Sequence, residues 1–91
     1  MKKYLVYAIR SGKDGRIYVG MTADLEKRLK EHASGYTKST KAYIPWELIF
    51  IKEALDRLEA RRLEKYYKSG VGKEYLKALD LTNGPVVQRI E

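Results

Sequence analysis

The segment Tyr4–Arg10 constrains the fold most, because it carries apolar side chains on both of its alternating faces. A strand with this pattern must be covered on both sides, so other elements have to pack above and below it. Turn-forming residues follow at 11–15, and Arg16–Met21 is then typical of a second strand. The two segments predict a β-hairpin in which Tyr7 and Tyr18 bring polar tips into core-like strands.

The register of this hairpin decides how far apart the two phenols lie. A two-residue turn at positions 14–15 places Tyr18 opposite Ser11, roughly 13 Å along the strand from Tyr7. A wider loop that closes nearer positions 12–13 places the two tyrosines directly opposite each other. Both registers are compatible with the sequence, and we expect a shared site only from the second.

Gly20 lies on the same face of the second strand as Tyr18. A glycine within a strand marks the close approach of a ligand or of another backbone. It also marks bulges and packing gaps. Both interpretations stay open for Gly20.

The next segment predicts a helix that starts after Thr22, as its N-cap, and stops at Gly35. Helical phase places Arg28 and His32, four residues apart, on the half of the cylinder that carries the apolar residues. A guanidinium on this side needs either an internal carboxylate or an anionic ligand. A histidine on an apolar face is more often a hydrogen-bonded core residue. Beside two strand tyrosines, however, the pair favours a site.

Residues 36–43 are rich in hydroxyl groups and lysine and are predicted to form a loop. In this loop Lys38 and Lys41 suit contacts with phosphates, although a solvated loop has the same composition. A third strand is expected at Glu47–Ile51, after Pro45 and Trp46, which completes a sheet of about three strands.

A second helix is predicted from about Asp56 to Lys68, with Glu64 at the edge of its buried stripe. The cations around this acid are Arg61, Arg62, Lys65 and Lys68. Such an arrangement is usual for a surface charge network. It is also compatible with a carboxylate that holds a metal ion at the rim of a cleft.

The remaining residues predict one more short element and a tail. Residues 70–72 are expected to break the helix, and residues 75–79 to form a short third helix that packs back. Residues 83–91 have no clear period and are expected to be loosely ordered. The chain therefore predicts one domain at 1–82, with no internal repeats or linkers.

The net charge of the chain indicates the class of partner that it could bind. Lys and Arg number 19 against 12 Asp and Glu in 91 residues, so the net charge is +7. This excess suits nucleic acid, although lysine also serves solubility. The chain has no cysteine, which excludes disulfides and thiolate metal sites. We expect a soluble cytoplasmic protein, because no signal peptide or apolar membrane-spanning segment is visible.

At this point the sequence resembles the GIY-YIG nuclease superfamily, and especially its small stand-alone bacterial members. The motifs that carry the likeness cover about residues 4 to 80: Val6-Tyr7, Tyr18-Val19-Gly20, Thr22-x-Asp24-Leu25-x-x-Arg28-Leu29-x-x-His32-x-x-Gly35, Ser39-Thr40-Lys41, Pro45-Trp46-x-Leu48 and Glu59-Ala60-x-x-x-Glu64-Lys65-x-x-Lys68. One departure is visible in the first motif, where Leu5 and Val6 replace the family's glycine and isoleucine. Tyr7 is present, so we do not interpret the departure as loss of activity.

The resemblance implies an α+β fold, with a three-stranded antiparallel sheet flanked by about three helices. It also implies cleavage of DNA phosphodiesters with Mg²⁺ or Mn²⁺, and RNA stays open as a substrate. Carried over by position, the catalytic residues are Tyr7, Tyr18, Arg28 and His32, the metal ligand is Glu64, and the nucleic-acid-binding residues are Lys38, Lys41, Lys65 and Lys68. We expect Mg²⁺, Arg28 and local lysines to favour the phenolate form of Tyr7. The alternative is a non-catalytic nucleic-acid-binding module that retains the fold.

Overall fold

The computed structural model describes residues 3–79 and 86–88. The elements within these residues are, in chain order, β1 (Tyr4–Ser11), β2 (Ile17–Thr22), α1 (Leu25–Ser34), α2 (Lys38–Lys41), β3 (Trp46–Ala54), α3 (Arg57–Lys68), α4 (Gly70–Ala78) and β4 (Val86–Gln88). The sheet has the order β2-β1-β3-β4, and β1 pairs antiparallel with both β2 and β3. The predicted α+β fold with a three-stranded antiparallel sheet is confirmed.

The fourth strand was not predicted. β4 pairs parallel with the edge strand β3 and lies within the segment 83–91, for which we expected a loosely ordered tail. The rest of that segment lies outside the described residues. A three-residue strand has too short a pattern to stand out in a sequence.

The sheet is covered on both faces, as the pattern of β1 predicts. Residues 6–9 are at most 1% exposed. One face forms the main core with α3 and α4, in a cluster that includes Val6, Ala8, Val19, Phe50, Ala60, Tyr67 and Leu76. The strand register places Tyr7, Ile9, Tyr18 and Gly20 together on the opposite face. Tyr7 is therefore a core residue whose hydroxyl needs a polar partner.

The first helix begins two residues later than predicted. Its N-cap is Asp24, whose side chain accepts a hydrogen bond from the Lys27 amide at 3.2 Å. The Thr22 hydroxyl instead accepts from the Asp24 amide at 3.0 Å and shapes the approach to the helix. The prediction that Gly35 ends the helix is correct, since it takes the left-handed conformation with φ 81°.

The segment after α1 is helical rather than a loop. The amides of Thr40 and Lys41 both donate to the Thr37 carbonyl, at 3.1 and 3.0 Å, and close the single turn of α2. One turn has no room for an apolar period, so composition alone predicted a loop.

The hairpin loop contacts the segment that follows this turn. Ser11 Oγ donates to the Tyr43 carbonyl at 2.6 Å, and the Gly12 amide donates to the Pro45 carbonyl at 2.7 Å. The Arg16 guanidinium stacks 3.6 Å from the centre of the Tyr43 ring. These contacts fix the segment that follows α2.

The break between the last two helices falls at one residue. Ser69 is both the C-cap of α3 and the N-cap of α4, where its hydroxyl accepts from the Gly72 amide at 3.4 Å. The prediction that residues 70–72 form the break was wrong, because Gly70 and Gly72 lie in the first turn of α4. Within the described residues, no helix is long and apolar enough to cross a membrane.

Candidate active site

The hairpin register lies between the two that the sequence allowed. Tyr7 lies opposite Gly20, and Tyr18 lies opposite Ile9, because the hairpin closes around residues 12–15. Both predicted registers were therefore wrong. The two phenols are diagonal neighbours on one face, with ring centroids 6.5 Å apart. Diagonal placement is sufficient for a shared site because a third ring joins them.

Gly20 provides room for the phenol of Tyr7. A Cβ atom at this position would lie 2.6 Å from Tyr7 Oη and 2.8 Å from Cζ, far inside van der Waals contact. The Tyr7 ring therefore lies directly across the glycine. Gly20 therefore marks a close approach, but the group that approaches is a neighbouring side chain rather than a ligand or another backbone.

His32 is the ring that joins the two tyrosines. Its centroid lies 5.8 Å from that of Tyr7 and 5.1 Å from that of Tyr18. Its Nε2 is 2.7 Å from Tyr7 Oη, and its Nδ1 is 2.8 Å from the Thr40 hydroxyl. His32 is completely buried, so it is both a satisfied core residue and part of a polar cluster.

Arg28 has the carboxylate partner that was one of the two alternatives offered by the sequence, and it is also partly exposed. Its Nη1 donates to Glu31 Oε1 at 2.9 Å and to the Thr37 hydroxyl at 3.4 Å. Burial lowers the pKa of Arg28. The Glu31 carboxylate and the nearby phenols of Tyr7 and Tyr18 raise it by more, so the net shift of the pKa is upward. The side chain is 31% exposed. Arg28 is thus a fixed cation that faces both the phenols and the solvent.

Burial keeps Tyr7 and His32 neutral. It raises the pKa of Tyr7 to about 12, although the Arg28 guanidinium acts in the opposite direction and Tyr18 and Glu64 add to the rise. Burial also lowers the pKa of His32, and the charge of Arg28 lowers it further, against a smaller effect of Glu31. Among the protein's own groups, burial therefore outweighs the Arg28 guanidinium, and the expected phenolate of Tyr7 stays a prediction for the metal-bound site.

Glu64 belongs to a surface charge network and also lies at the edge of a cavity. It forms an ion pair with Lys68 at 3.4 Å and is 22% exposed. It also lines a surface cavity of about 360 Å³ with Arg61, Lys65 and Lys68. Its charge contributes to the raised pKa of Tyr7, which places it within electrostatic reach of the phenols.

The donor set limits how a metal ion can bind. In residues 3–79 and 86–88, no group of three or more His, Cys, Asp or Glu side chains is placed to hold one. A single carboxylate fits Mg²⁺, which keeps several waters and takes further oxygens from a substrate phosphate. Glu64 fits this role, with its Lys68 partner as the competing cation.

The four lysines singled out by the sequence fall into two exposed pairs. Lys38 and Lys41 lie on α2, the turn that also carries the histidine-bonded Thr40. Lys65 and Lys68 lie on α3 beside Glu64. The first pair is on the turn that contacts His32 through Thr40, whereas the second pair is on a helix that packs against the other face of the sheet.

Two further residues of the site escaped the sequence reasoning. Thr40 is completely buried, whereas we expected it in a polar loop. Trp46 donates from Nε1 to the Thr40 carbonyl at 2.9 Å, and its ring centroid lies 6.4 Å from that of Tyr18. Both belong to the motifs quoted above, Ser39-Thr40-Lys41 and Pro45-Trp46, and that membership was the available signal.

The chain is similar to known proteins in both sequence and fold. A family model described as the GIY-YIG catalytic domain matches residues 3–76. A UPF0213 protein of Oceanobacillus iheyensis is 31% identical over 80 residues, which are 87% of this chain and 92% of that protein. The solution NMR structure of a UPF0213 protein from Bacillus halodurans has a TM-score of 0.53 and 36% identity, and covers 85% of this chain and 84% of that one.

Two other relatives are matched over a smaller share of their length. The UPF0213 protein YazA of Bacillus subtilis is 44% identical over 57 residues, which are 62% of this chain and 58% of that protein. A UPF0213 protein of Bacillus licheniformis is 36% identical over 63 residues, 68% of this chain and 65% of that protein. The chain thus spans less than two thirds of these two relatives.

Proposed function

This chain belongs to the GIY-YIG catalytic-domain family, and we propose that it is an endonuclease that hydrolyses DNA phosphodiester bonds with the help of Mg²⁺ or Mn²⁺. The observation that carries the proposal is the hydrogen bond of 2.7 Å between Tyr7 Oη and His32 Nε2, beside Tyr18 and the Arg28 guanidinium. The proposal includes a role in DNA repair or processing and a cytoplasmic location. RNA stays open as a second substrate.

Tyr7 and His32 act together as the base. With a pKa of about 12, Tyr7 is a phenolate in on the order of one molecule in 10⁵ at pH 7. A preformed phenolate therefore contributes little, and the two transfers are coupled. Tyr7 is completely buried in the free protein, so the attacking water has to reach Tyr7 Oη together with the substrate. The oxygen then takes a proton from this water as its own proton moves to Nε2 of neutral His32. The resulting hydroxide attacks phosphorus, and the 3′-oxygen leaves.

Tyr18 and Arg28 serve the water and the phosphate. Tyr18 is half-buried, so its hydroxyl can orient the attacking water while its ring packs against His32. Arg28 stays protonated at every working pH and stabilises negative charge on the phosphoryl oxygens. Its bond to Glu31 holds the guanidinium in place before the substrate arrives.

Glu64 is the residue that would hold the metal ion. When bound, the ion supplies positive charge for the developing charge on the leaving 3′-oxygen. Before the metal ion binds, Lys68 is the counter-ion of Glu64. Once the ion takes its place beside Glu64, Lys68 is free to contact a phosphate. Together with Lys38, Lys41 and Lys65, it gives the site two basic borders for the DNA backbone.

The proposal is tested by incubating the protein with nicked, flapped and branched DNA in Mg²⁺. We compare wild type with Tyr7→Phe, Arg28→Ala and Glu64→Gln, and we expect each substitution to lower the cleavage rate by about 10²-fold or more. Glu74→Gln is the matched control, since Glu74 also pairs with a lysine one turn away, at 3.7 Å, but lies exposed on α4. Its rate should equal that of wild type.

The alternative function, a nucleic-acid-binding module without catalysis, has a distinct outcome in the same experiment. It requires steep salt-dependent binding with no Mg²⁺-dependent or Mn²⁺-dependent cleavage of any substrate. Equal, trace-level cleavage by wild type and the three site variants would refute the catalytic proposal.

A further inference from the structure

We infer that Thr40 is a positioning residue, whose buried hydroxyl fixes the tautomer of His32 so that Nε2 is the acceptor for the Tyr7 proton. The catalytic meaning of this inference rests on the proposed function. The hydrogen-bond chain that carries it does not.

The three hydrogen-bonded side chains lie in the interior of the free protein. Tyr7, His32 and Thr40 are all completely buried. The imidazole therefore has one partner on each nitrogen: Tyr7 Oη at 2.7 Å from Nε2, and Thr40 Oγ1 at 2.8 Å from Nδ1. Since neutral imidazole has one donor and one acceptor, the partners decide which nitrogen carries the proton.

Thr40 decides the question because it has a single hydroxyl hydrogen. Its Oγ1 lies 3.3 Å from the Thr37 carbonyl, which can only accept and also accepts from the amides of Thr40 and Lys41, and we assign the hydroxyl hydrogen to this contact. The same oxygen must then accept from His32 Nδ1–H. Nε2 is left with a lone pair, which faces the O–H of Tyr7.

The opposite tautomer would disable the pair. A proton on Nε2 would make Tyr7 the acceptor, and Nδ1 would need the hydrogen of Thr40. The Thr37 carbonyl would lose its side-chain donor, and Tyr7 would have no acceptor for its proton. Thr40 therefore selects the arrangement in which His32 can take that proton.

Thr40 is itself held by contacts that do not involve His32. Its carbonyl accepts from Trp46 Nε1 at 2.9 Å, and its amide donates to the Thr37 carbonyl at 3.1 Å. The turn α2 thus presents the hydroxyl in a fixed position.

The series of hydrogen bonds ends at the Thr37 carbonyl, because a backbone carbonyl takes no proton. In the coupled transfer, the O–H bond of Tyr7 breaks as the Nε2–H bond forms, and His32 becomes imidazolium with Nδ1–H still bonded to Thr40. The proton then leaves Nε2 only by returning to Tyr7 Oη, as Tyr7 releases to another water molecule the proton that it took from the attacking water. His32 acts as a store for one proton rather than as a link to solvent.

The test uses the fact that the chain has one histidine. Uniformly ¹⁵N-labelled protein at pH 8 gives one pair of imidazole nitrogen signals, and we expect Nδ1 to be the protonated nitrogen in wild type. Thr40→Ser retains the hydroxyl and should retain this pattern. Thr40→Val removes it at nearly constant volume, and the two nitrogen shifts should move toward each other as the tautomers mix.

Cleavage kinetics supply the functional half. We expect Thr40→Val to lower kcat by about 10–100-fold with KM unchanged, the size typical of residues that orient a functional histidine. Thr40→Ser should restore most of kcat. Ser39→Ala removes the neighbouring exposed hydroxyl of α2 and should behave as wild type.

The outcomes separate the two proposals. Protonation at Nε2 in wild type, or an unchanged Nδ1–H signature in Thr40→Val, overturns the role of Thr40. If Thr40→Val does not fold, wild type and Thr40→Ser still decide, because both must show Nδ1 protonated. The expected tautomer pattern in a wild-type protein that cleaves no DNA would support the positioning role and refute the nuclease.

Discussion

At the scale of single residues, the proposed base is controlled by burial more than by charge. Tyr7 and His32 share a hydrogen bond in a dry environment, and desolvation is the largest influence on the pKa of both. Each group resists its charged form, so the pair stays neutral until a substrate is present. Loss of the buried environment should therefore matter as much as loss of either side chain.

His32 gives stability a pH dependence with a definite sign. Its pKa is lowered in the folded state, so between that value and the ordinary 6.5 the unfolded chain binds more protons. The contribution of neutral His32 is fully present above pH 6.5 and is lost as pH falls through that window. We expect the free energy of unfolding in urea to decrease more steeply from pH 7.5 to 5 in wild type than in His32→Gln. Parallel curves for the two proteins would contradict this.

Gly20 should be intolerant of even one methyl group. In Gly20→Ala the new Cβ would displace the Tyr7 hydroxyl and break its bond to His32. We expect a loss of about 1–3 kcal/mol in unfolding free energy, and a loss of cleavage. Urea denaturation and the nuclease assay measure the two effects.

The control is Gly70→Ala, because a Cβ at Gly70 meets no atom within 4 Å. Alanine there should be neutral or stabilising by up to about 1 kcal/mol. Equal behaviour of the two alanine variants would show that the Tyr7 ring is not packed on Gly20 as described.

Residues on regular elements were easier to predict than residues between them. Helical phase places Arg28 and His32 inward from sequence alone, and strand alternation places Tyr7 in the core. Helical or strand periodicity does not predict the position of Thr40, because Thr40 is held by contacts to His32 and Trp46, which are distant in the sequence pattern. A hydroxyl in a polar segment has the same local signal whether it is solvated or buried.

At the scale of elements, the hairpin shows where sequence rules stop. Turn residues predict that residues 11–15 reverse the chain, but the register also depends on Ser11 and Gly12, which bond to the segment after α2. These contacts join positions more than 30 residues apart along the chain. The diagonal placement of the phenols is therefore a tertiary result.

The two glycines at the start of α4 have different surroundings, and neither of them interrupts the helix. Gly70 is in open space, whereas a Cβ at Gly72 would meet the Tyr66 carbonyl and lie 2.5 Å from the Tyr67 Cα. Glycine at position 72 allows the backbones of α3 and α4 to approach closely at their shared cap. The prediction interpreted a packing requirement as a conformational one.

Alanine at Gly72 should therefore destabilise the protein despite its better helix propensity. We expect Gly72→Ala to cost about 1–3 kcal/mol of unfolding free energy, because the propensity gain of about 1 kcal/mol is outweighed by overlap with α3. Urea denaturation beside Gly70→Ala measures the difference. If Gly72→Ala were as stable as that control, the close approach of α3 and α4 would be wrong.

At the scale of the whole molecule, composition and pattern were enough for the fold class but not for every strand. The apolar strand β1 requires layers on both sides, and the α+β arrangement follows from the helices available to provide them. β4 adds a parallel pairing at the far edge, which three residues cannot signal. The net charge of +7 is likewise a global quantity that does not reveal which face binds.

Salt dependence can locate that face. If Lys38 and Lys41 each neutralise one phosphate, the double change Lys38→Gln and Lys41→Gln should reduce the slope of log K against log salt by about 1.4–1.8. The control is Lys27→Gln with Lys30→Gln, two exposed lysines of α1 that lower net charge by the same amount. Fluorescence anisotropy of labelled DNA without metal measures both slopes. Since long-range attraction depends on total charge while ion release depends on contact, equal slopes for the two double variants would exclude α2 as the phosphate-binding border.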